Sequence, residues 1–274
     1  MQTITLKNDA SHNFSNIDYP DGQKSVQLHF ATLTKKEPIQ ISCRIKNFAE
    51  LERLGTLLAS LHHNDYYVKT LDFKYLFGIR SDRAFNAGEP NYTRDVLAPI
   101  INDWVRRYNI EEVIILWPFT PLAILNNHFI NCYSYIDTTY KETGILRGSN
   151  QHLRISGDES AYRFEGIRNS KLFTKKRIDG TILISLDNYD LKELNSINEI
   201  VIVDDLCDGG GTFIAEAKYL KEIAPHLHLY LYVYHGLFTN GALDKLADYF
   251  EHIYCTNSYS DLQHQKLTQF EVII

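Results

Sequence analysis

Ten consecutive residues, Val203-Asp204-Asp205-Leu206-Cys207-Asp208-Gly209-Gly210-Gly211-Thr212, combine three carboxylates with three adjacent glycines. Glycines let backbone N–H groups come close to a phosphate, because no Cβ stands in the way. A helical pattern follows (Phe213, Ile214, Ala217, Leu220, Ile223), and its N-terminus adds roughly half a positive charge. The paired Asp204 and Asp205 suit another part of the same ligand, either ribose hydroxyls or a ligand-bound Mg²⁺. The chemistry this spells is recognition of a sugar phosphate. A dinucleotide fingerprint does not fit, since the acids precede the glycines, and a P-loop does not fit, since no Lys follows them.

The elements that must position this turn read as alternating strands and helices. The apolar run Ile200–Val203 is a buried strand feeding the turn. Earlier strand candidates are 25–31, 39–43, 66–76 and 112–117; later ones are 153–156, 181–186 and 227–234. Asn47 is placed to cap a helix with the stripe Phe48, Leu51, Leu54, Leu57, Leu58 and Leu61. Thr93 is placed to cap another with Leu97, Ile100, Ile101, Trp104 and Val105, where Pro99 predicts a kink or a late start. A shorter helix is expected over 242–250. The pattern predicts an α/β protein of two tandem domains, each a mainly parallel sheet flanked by helices. The expected boundaries are 1–137 and 138–261, with the tail 262–274 available to the N-terminal domain.

With 274 residues and 44% hydrophobic content, the chain can build two ordinary cores. A net charge of −6 argues against nonspecific nucleic-acid binding. Cys43, Cys132, Cys207 and Cys255 are scattered and read as free thiols of a reducing compartment. No segment has the length of a membrane span or the form of a leader, so a cytoplasmic protein is expected.

The acidic–glycine segment resembles the phosphoribosyl pyrophosphate loop of type I phosphoribosyltransferases and ribose-phosphate pyrophosphokinases. The pyrophosphokinase family is favoured by Tyr234-His235-Gly236-Leu237-Phe238-Thr239 with Gly241-Ala242-Leu243, and by Cys255-Thr256-Asn257-Ser258. Upstream, Tyr19-Pro20-Asp21-Gly22-Gln23 is similar to an element that in this family reaches into a neighbouring subunit's ATP site. Gly78-Ile79-Arg80-Ser81-Asp82-Arg83 resembles its ATP-contacting segment. Ser156-Gly157-Asp158-Glu159-Ser160 occupies the place of a segment whose Asp binds Mg²⁺. Lys175-Lys176-Arg177 matches the basic triplet of its mobile catalytic loop.

The resemblance implies ATP contacts at Tyr19, Asp21, Gln23, Arg80 and Asp82, and a metal ligand at Asp158. It implies ribose contacts at Asp204 and Asp205, and phosphate contacts at Asp208, Gly209, Gly210, Gly211 and Thr212. Lys175 and Arg177 become the catalytic cations closing over the transferring phosphates. The implied reaction moves the β,γ-pyrophosphoryl group of MgATP to the anomeric hydroxyl of a ribose 5-phosphoryl acceptor, releasing AMP for nucleotide or NAD synthesis. The acceptor is ribose 5-phosphate or ADP-ribose. The implied assembly is a homo-oligomer, a dimer or a hexamer built of dimers, with no nucleic-acid or membrane partner.

Two departures matter. Gly209 stands where the family usually has Thr. Residues 116–121, Leu-Trp-Pro-Phe-Thr-Pro, lack the His that helps hold Mg²⁺. The second departure supports an alternative, a catalytically inactive regulatory or assembly homologue. A phosphoribosyltransferase is a third reading, opposed by the ATP-side segments.

Overall fold

The computed structural model describes residues 1–7, 10–78, 86, 88–116, 129–131, 152–156, 171–178, 181–186 and 194–272. Arg80, Asp82 and Asp158 lie outside these residues, as does most of the 116–121 segment. The chain divides into two compact units, 1–132 with 273–274, and 133–272.

In the first unit the elements run β1 (Gln2–Leu6), β2 (Ala10–Ser11), β3 (Phe14–Asp18), β4 (Lys24–Leu28), β5 (Ile39–Ile45), α1 (Phe48–His63), β6 (Val68–Leu76), α2 (Ala98–Tyr108), β7 (Glu112–Ile115) and β8 (Phe129–Asn131). A five-stranded sheet has the order β1-β5-β6-β7-β8, every pair parallel. A small antiparallel sheet, β2-β3-β4, packs Phe14, Val26 and Leu28 into the same core.

Helix α1 forms as its sequence predicts. The Asn47 side chain accepts a 3.0 Å hydrogen bond from the Glu50 N–H, and Glu50 in turn accepts from the Lys46 N–H. Leu51, Leu54, Leu57, Leu58 and Leu61 are all buried. Each such side chain contributes about 2 kcal/mol, which outweighs the roughly 1 kcal/mol that Gly55 costs mid-helix. Gly55 has a packing reason: a Cβ there would sit 2.9 Å from the Trp104 ring on α2.

Phe48 departs from the expected stripe. It is 48% exposed, its ring edge-on to Phe77 at 5.2 Å and to Tyr92 at 6.5 Å between centroids, at the rim of the core. The second helix does not start late: helical backbone begins at Tyr92, widens into one π-type turn over Thr93–Leu97, and continues as α2, so Pro99 is accommodated just after the wide turn. Asn91, not Thr93, receives the Arg94 N–H (2.8 Å), while the Thr93 hydroxyl donates to the Gly78 carbonyl (2.6 Å).

In the second unit the elements are β9 (His152–Ser156), β10 (Lys171–Ile178), β11 (Thr181–Leu186), β12 (Glu199–Cys207), α3 (Gly211–Ile223), β13 (His228–Gly236), α4 (Ala242–Ala247), β14 (His252–Thr256) and β15 (Leu267–Phe270). Their sheet has the order β11-β10-β9-β12-β13-β14-β15, parallel except for the β10–β11 hairpin. Ile200 and Ile202, Leu229, Leu231 and Val233, and Ile253 and Cys255 form one core with Phe213, Ala217 and Leu220 of α3 and Leu246 of α4. On the opposite face Tyr232 and Tyr234 are fully buried and meet edge-on at 5.5 Å.

The tail behaves differently from expectation. Residues 262–272 belong to the second unit, since β15 pairs with β14 and Val272 N–H donates to the Asn257 side chain at 2.8 Å. Cys43, Cys207 and Cys255 are buried free thiols. Among the described residues, no helix is long and apolar enough to cross a membrane.

Candidate functional site

The carboxyl ends of β12, β13 and β14 share one edge of the second sheet, where loops of α/β proteins bind ligands. Strand β12 delivers Asp204 and Asp205 to this edge, both half-buried, while Leu206 and Cys207 behind them are buried. The Asp205 N–H donates to Asp204 Oδ1 at 2.8 Å, which fixes the first carboxylate against the backbone. Burial, with Asp204 and Asp208 close by, pushes the Cys207 thiol well above its usual range, so it stays protonated. Burial likewise raises Cys255 to about 12. Neither sulfur is a nucleophile at neutral pH.

Asp208 and Gly209 are exposed, and Gly210 turns the chain into α3 with φ 75° and ψ −3°. A Cβ on Gly210 would lie 3.2 Å from Leu246 and 3.4 Å from Ala242, whereas one on Gly209 or Gly211 would meet nothing within 4 Å. So one glycine of the three is required by conformation. The other two leave space. No side chain caps α3, so its first amides present themselves to solvent at the positive end of the helix. The arrangement offers backbone donors for an anion, with two carboxylate acceptors one strand-end away for hydroxyl groups.

The turn after β13 is stitched onto this segment. Leu237 and Phe238 donate their N–H groups to the Cys207 carbonyl at 2.9 and 3.2 Å. Below it, His235 Nδ1 and Ser258 Oγ are 2.8 Å apart in a fully buried pair. The sequence reading placed no role on these side chains. Their segments are singled out by the family resemblance, but their pairing depends on β13 and β14 lying side by side.

Lys175 and Arg177 were expected on a loop between strands. The structure places them on β10 itself, opposite Ile184 and Ile182 of β11. The run Lys171–Ile178 shows no polar–apolar alternation, and its strand form comes from antiparallel pairing with β11 across a short connection. Strand β9 ends at Ser156, opposite Val203, so the chain leaves β9 at the same edge as Asp204.

In the first unit, Tyr19, Asp21 and Gln23 sit on the tight turn joining β3 to β4. The Gly22 N–H donates to the Tyr19 carbonyl (3.0 Å), and the Gln23 N–H donates to Asp21 Oδ1 (3.1 Å). Gly22 has φ 96°, so Pro-Asp-Gly serves its turn chemistry. Tyr19 is 44% exposed. Asp18 anchors the hairpin to α1 through Arg53 (2.6 Å) and also pairs with Lys24 (3.2 Å). Among the described residues no three His, Cys, Asp or Glu side chains converge as a metal site. The oxygen-only acids on the β12 edge are of the type that suits a hard cation such as Mg²⁺.

Both units are α/β with mainly parallel sheets, and the second carries an acidic–glycine turn at a strand's carboxyl end. The fold as a whole is phosphoribosylpyrophosphate synthetase-like. The chain is similar to the crystal structure of phosphoribosylpyrophosphate synthetase from Mycobacterium smegmatis, with a TM-score of 0.73 over 99% of this chain and 94% of that one, at 12% identity. No family model matches the sequence, and no curated protein matches it.

Proposed function

We propose that this chain is an ATP-dependent pyrophosphokinase acting on a ribose 5-phosphoryl acceptor. The observation that carries the reading is the Asp204–Thr212 turn, standing at the carboxyl edge of a sheet in a phosphoribosylpyrophosphate synthetase-like fold. The acceptor's 5-phosphoryl group would lie on the turn 208–212, through the amides of 209, 211 and 212, and its ribose hydroxyls on Asp204 and Asp205. Its anomeric oxygen attacks the β-phosphorus of ATP, the α–β bridge breaks, and AMP leaves with the bridging oxygen.

Lys175 and Arg177 neutralise charge on the transferring phosphates, the task that supplies most of the catalysis in phosphoryl transfer. Arg80 and Asp82 contact ATP. Tyr19, Asp21 and Gln23 serve the ATP of a neighbouring copy, which makes the active form a homo-oligomer; their exposed turn supports this. A Mg²⁺ ion accompanying ATP would be held by the Asp158 carboxylate together with the phosphates. When bound, the ion stabilises charge on the phosphate oxygens.

One observation favours a bulkier acceptor, ADP-ribose, over ribose 5-phosphate. Position 209 carries no side chain, and among the described residues nothing lies within 4 Å of where a Cβ would stand. Incubation with MgATP and each acceptor in turn, with AMP as readout, tests the reading. AMP with ribose 5-phosphate or with ADP-ribose identifies the acceptor. AMP with neither refutes the pyrophosphokinase and leaves the inactive homologue.

A further inference from the structure

The turn after β13 makes a contact that a bare anion cradle does not require. Thr239 grips Asp208 at two points: its N–H donates to the Asp208 carbonyl at 3.1 Å, and its hydroxyl donates to Asp208 Oδ1 at 2.6 Å. Aiming Thr239 this way takes an unusual backbone. Phe238 (φ 46°, ψ 48°) and Asn240 (φ 56°, ψ 36°) flank it, both left-handed without being glycine. Such residues are uncommon, and a pair of them persists only where surrounding contacts over-determine the conformation. Those contacts are visible. The Phe238 ring packs over Gly236, where a Cβ would lie 2.3 Å from it, and Phe238 N–H is held by Cys207.

Asp208 is exposed and adjoins amides suited to an anion. Left to rotate, its carboxylate could swing toward a phosphate and repel it. A short hydrogen bond to a charged acceptor is among the stronger single contacts a hydroxyl makes, and it selects one rotamer. We infer that Thr239 is a positioning residue for the acceptor's 5-phosphoryl group. It holds the Asp208 carboxylate and main chain in the conformation that keeps the amides of 209, 211 and 212 open to the anion, while the Gly210 N–H faces the Cys207 sulfur. This rests on the acceptor site proposed above, and the experiment separates the two.

Thr239→Val removes the hydroxyl at nearly constant shape, and Thr239→Ser restores it. Amide hydrogen exchange of the unliganded protein, read over 237–239, whose N–H groups donate to the Cys207 and Asp208 carbonyls, is expected to rise about tenfold in Thr239→Val and to return in Thr239→Ser. Calorimetric affinity for ribose 5-phosphate or ADP-ribose is expected to fall about tenfold, with ATP affinity and Tm near wild type. Unchanged exchange in Thr239→Val overturns the inference, as does a fall in Tm with acceptor affinity intact. A wild-type protein that binds neither acceptor overturns the acceptor site instead, and the exchange comparison still decides whether Thr239 holds the turn.

Discussion

The three glycines of the β12–α3 turn look equivalent in sequence and are unequal in the structure, so substituting them one at a time should give opposite results. Gly210→Ala forces alanine into the left-handed region at φ 75°, which costs about 1–2 kcal/mol. Its Cβ would also sit 3.2 Å from Leu246, a fully buried side chain with little room to retreat, adding about 1–2 kcal/mol of overpacking. At about 2–4 °C of Tm per kcal/mol, the total corresponds to a fall of roughly 5–15 °C. Gly209→Ala meets nothing within 4 Å and does not occupy the left-handed region. It restricts the unfolded chain and is expected to stabilise by about 0.4–1 kcal/mol. Thermal unfolding followed by circular dichroism compares the two directly. Equal losses of Tm, or a larger loss for Gly209→Ala, would refute the account of the turn. Because position 209 tolerates a side chain, Gly209→Thr then probes specificity without disturbing the fold. It is expected to lower the rate with ADP-ribose relative to ribose 5-phosphate by about tenfold, a steric penalty of about 1.4 kcal/mol. An unchanged ratio would mean that the opening at 209 selects nothing.

Lys175→Ala is expected to reduce AMP release about 10³-fold in kcat with the fold intact, and retention of wild-type turnover would remove Lys175 from catalysis. The Arg53 hydrogen bond, then that from Lys24, holds the Asp18 carboxyl below its ordinary 3.8. A depressed carboxylate stabilises above its unfolded pKa and loses that contribution as pH falls through the folded value. The hairpin anchor is therefore complete at neutral pH and released only below about pH 3.8. An NMR titration should place the Asp18 midpoint under that value and show it rise in Arg53→Met; an unmoved midpoint contradicts the pairing. Gly55→Ala should destabilise by about 1–3 kcal/mol despite alanine's better helix propensity, since the Trp104 ring stands 2.9 Å from the new Cβ. Stabilisation in urea unfolding would show that the ring moves aside freely.

Local chemistry made much of this protein readable from its residues alone. The α1 stripe and its Asn47 cap, the irregular turn before Pro99, and the strand that carries Asp204 and Asp205 all follow from periodicity, capping and turn preference. These depend on neighbours a few positions away, and so does the acidic–glycine turn. Segments whose pairing is long-range were harder to read. Gln2–Leu6 became a sheet strand by lying against β5, and Leu267–Phe270 by lying against β14. The basic triplet at 175–177 became part of a hairpin whose partner strand begins at Thr181. Phe48 matched an apolar stripe by count, but as the first residue of its helix it meets only the rim of the core, at Phe77 and Tyr92.

For the site, sequence alone determined which atoms are available: three carboxylates, three glycines and the start of a helix. Tertiary structure decided that only Gly210 must be glycine, because Leu246 and a left-handed φ meet at that position alone. It also decided that Asp208 is held from thirty-one residues away by Thr239. Parallel strands bring the ends of separate crossovers into contact, and nothing in the spacing of residues along one crossover records what the next will place beside it.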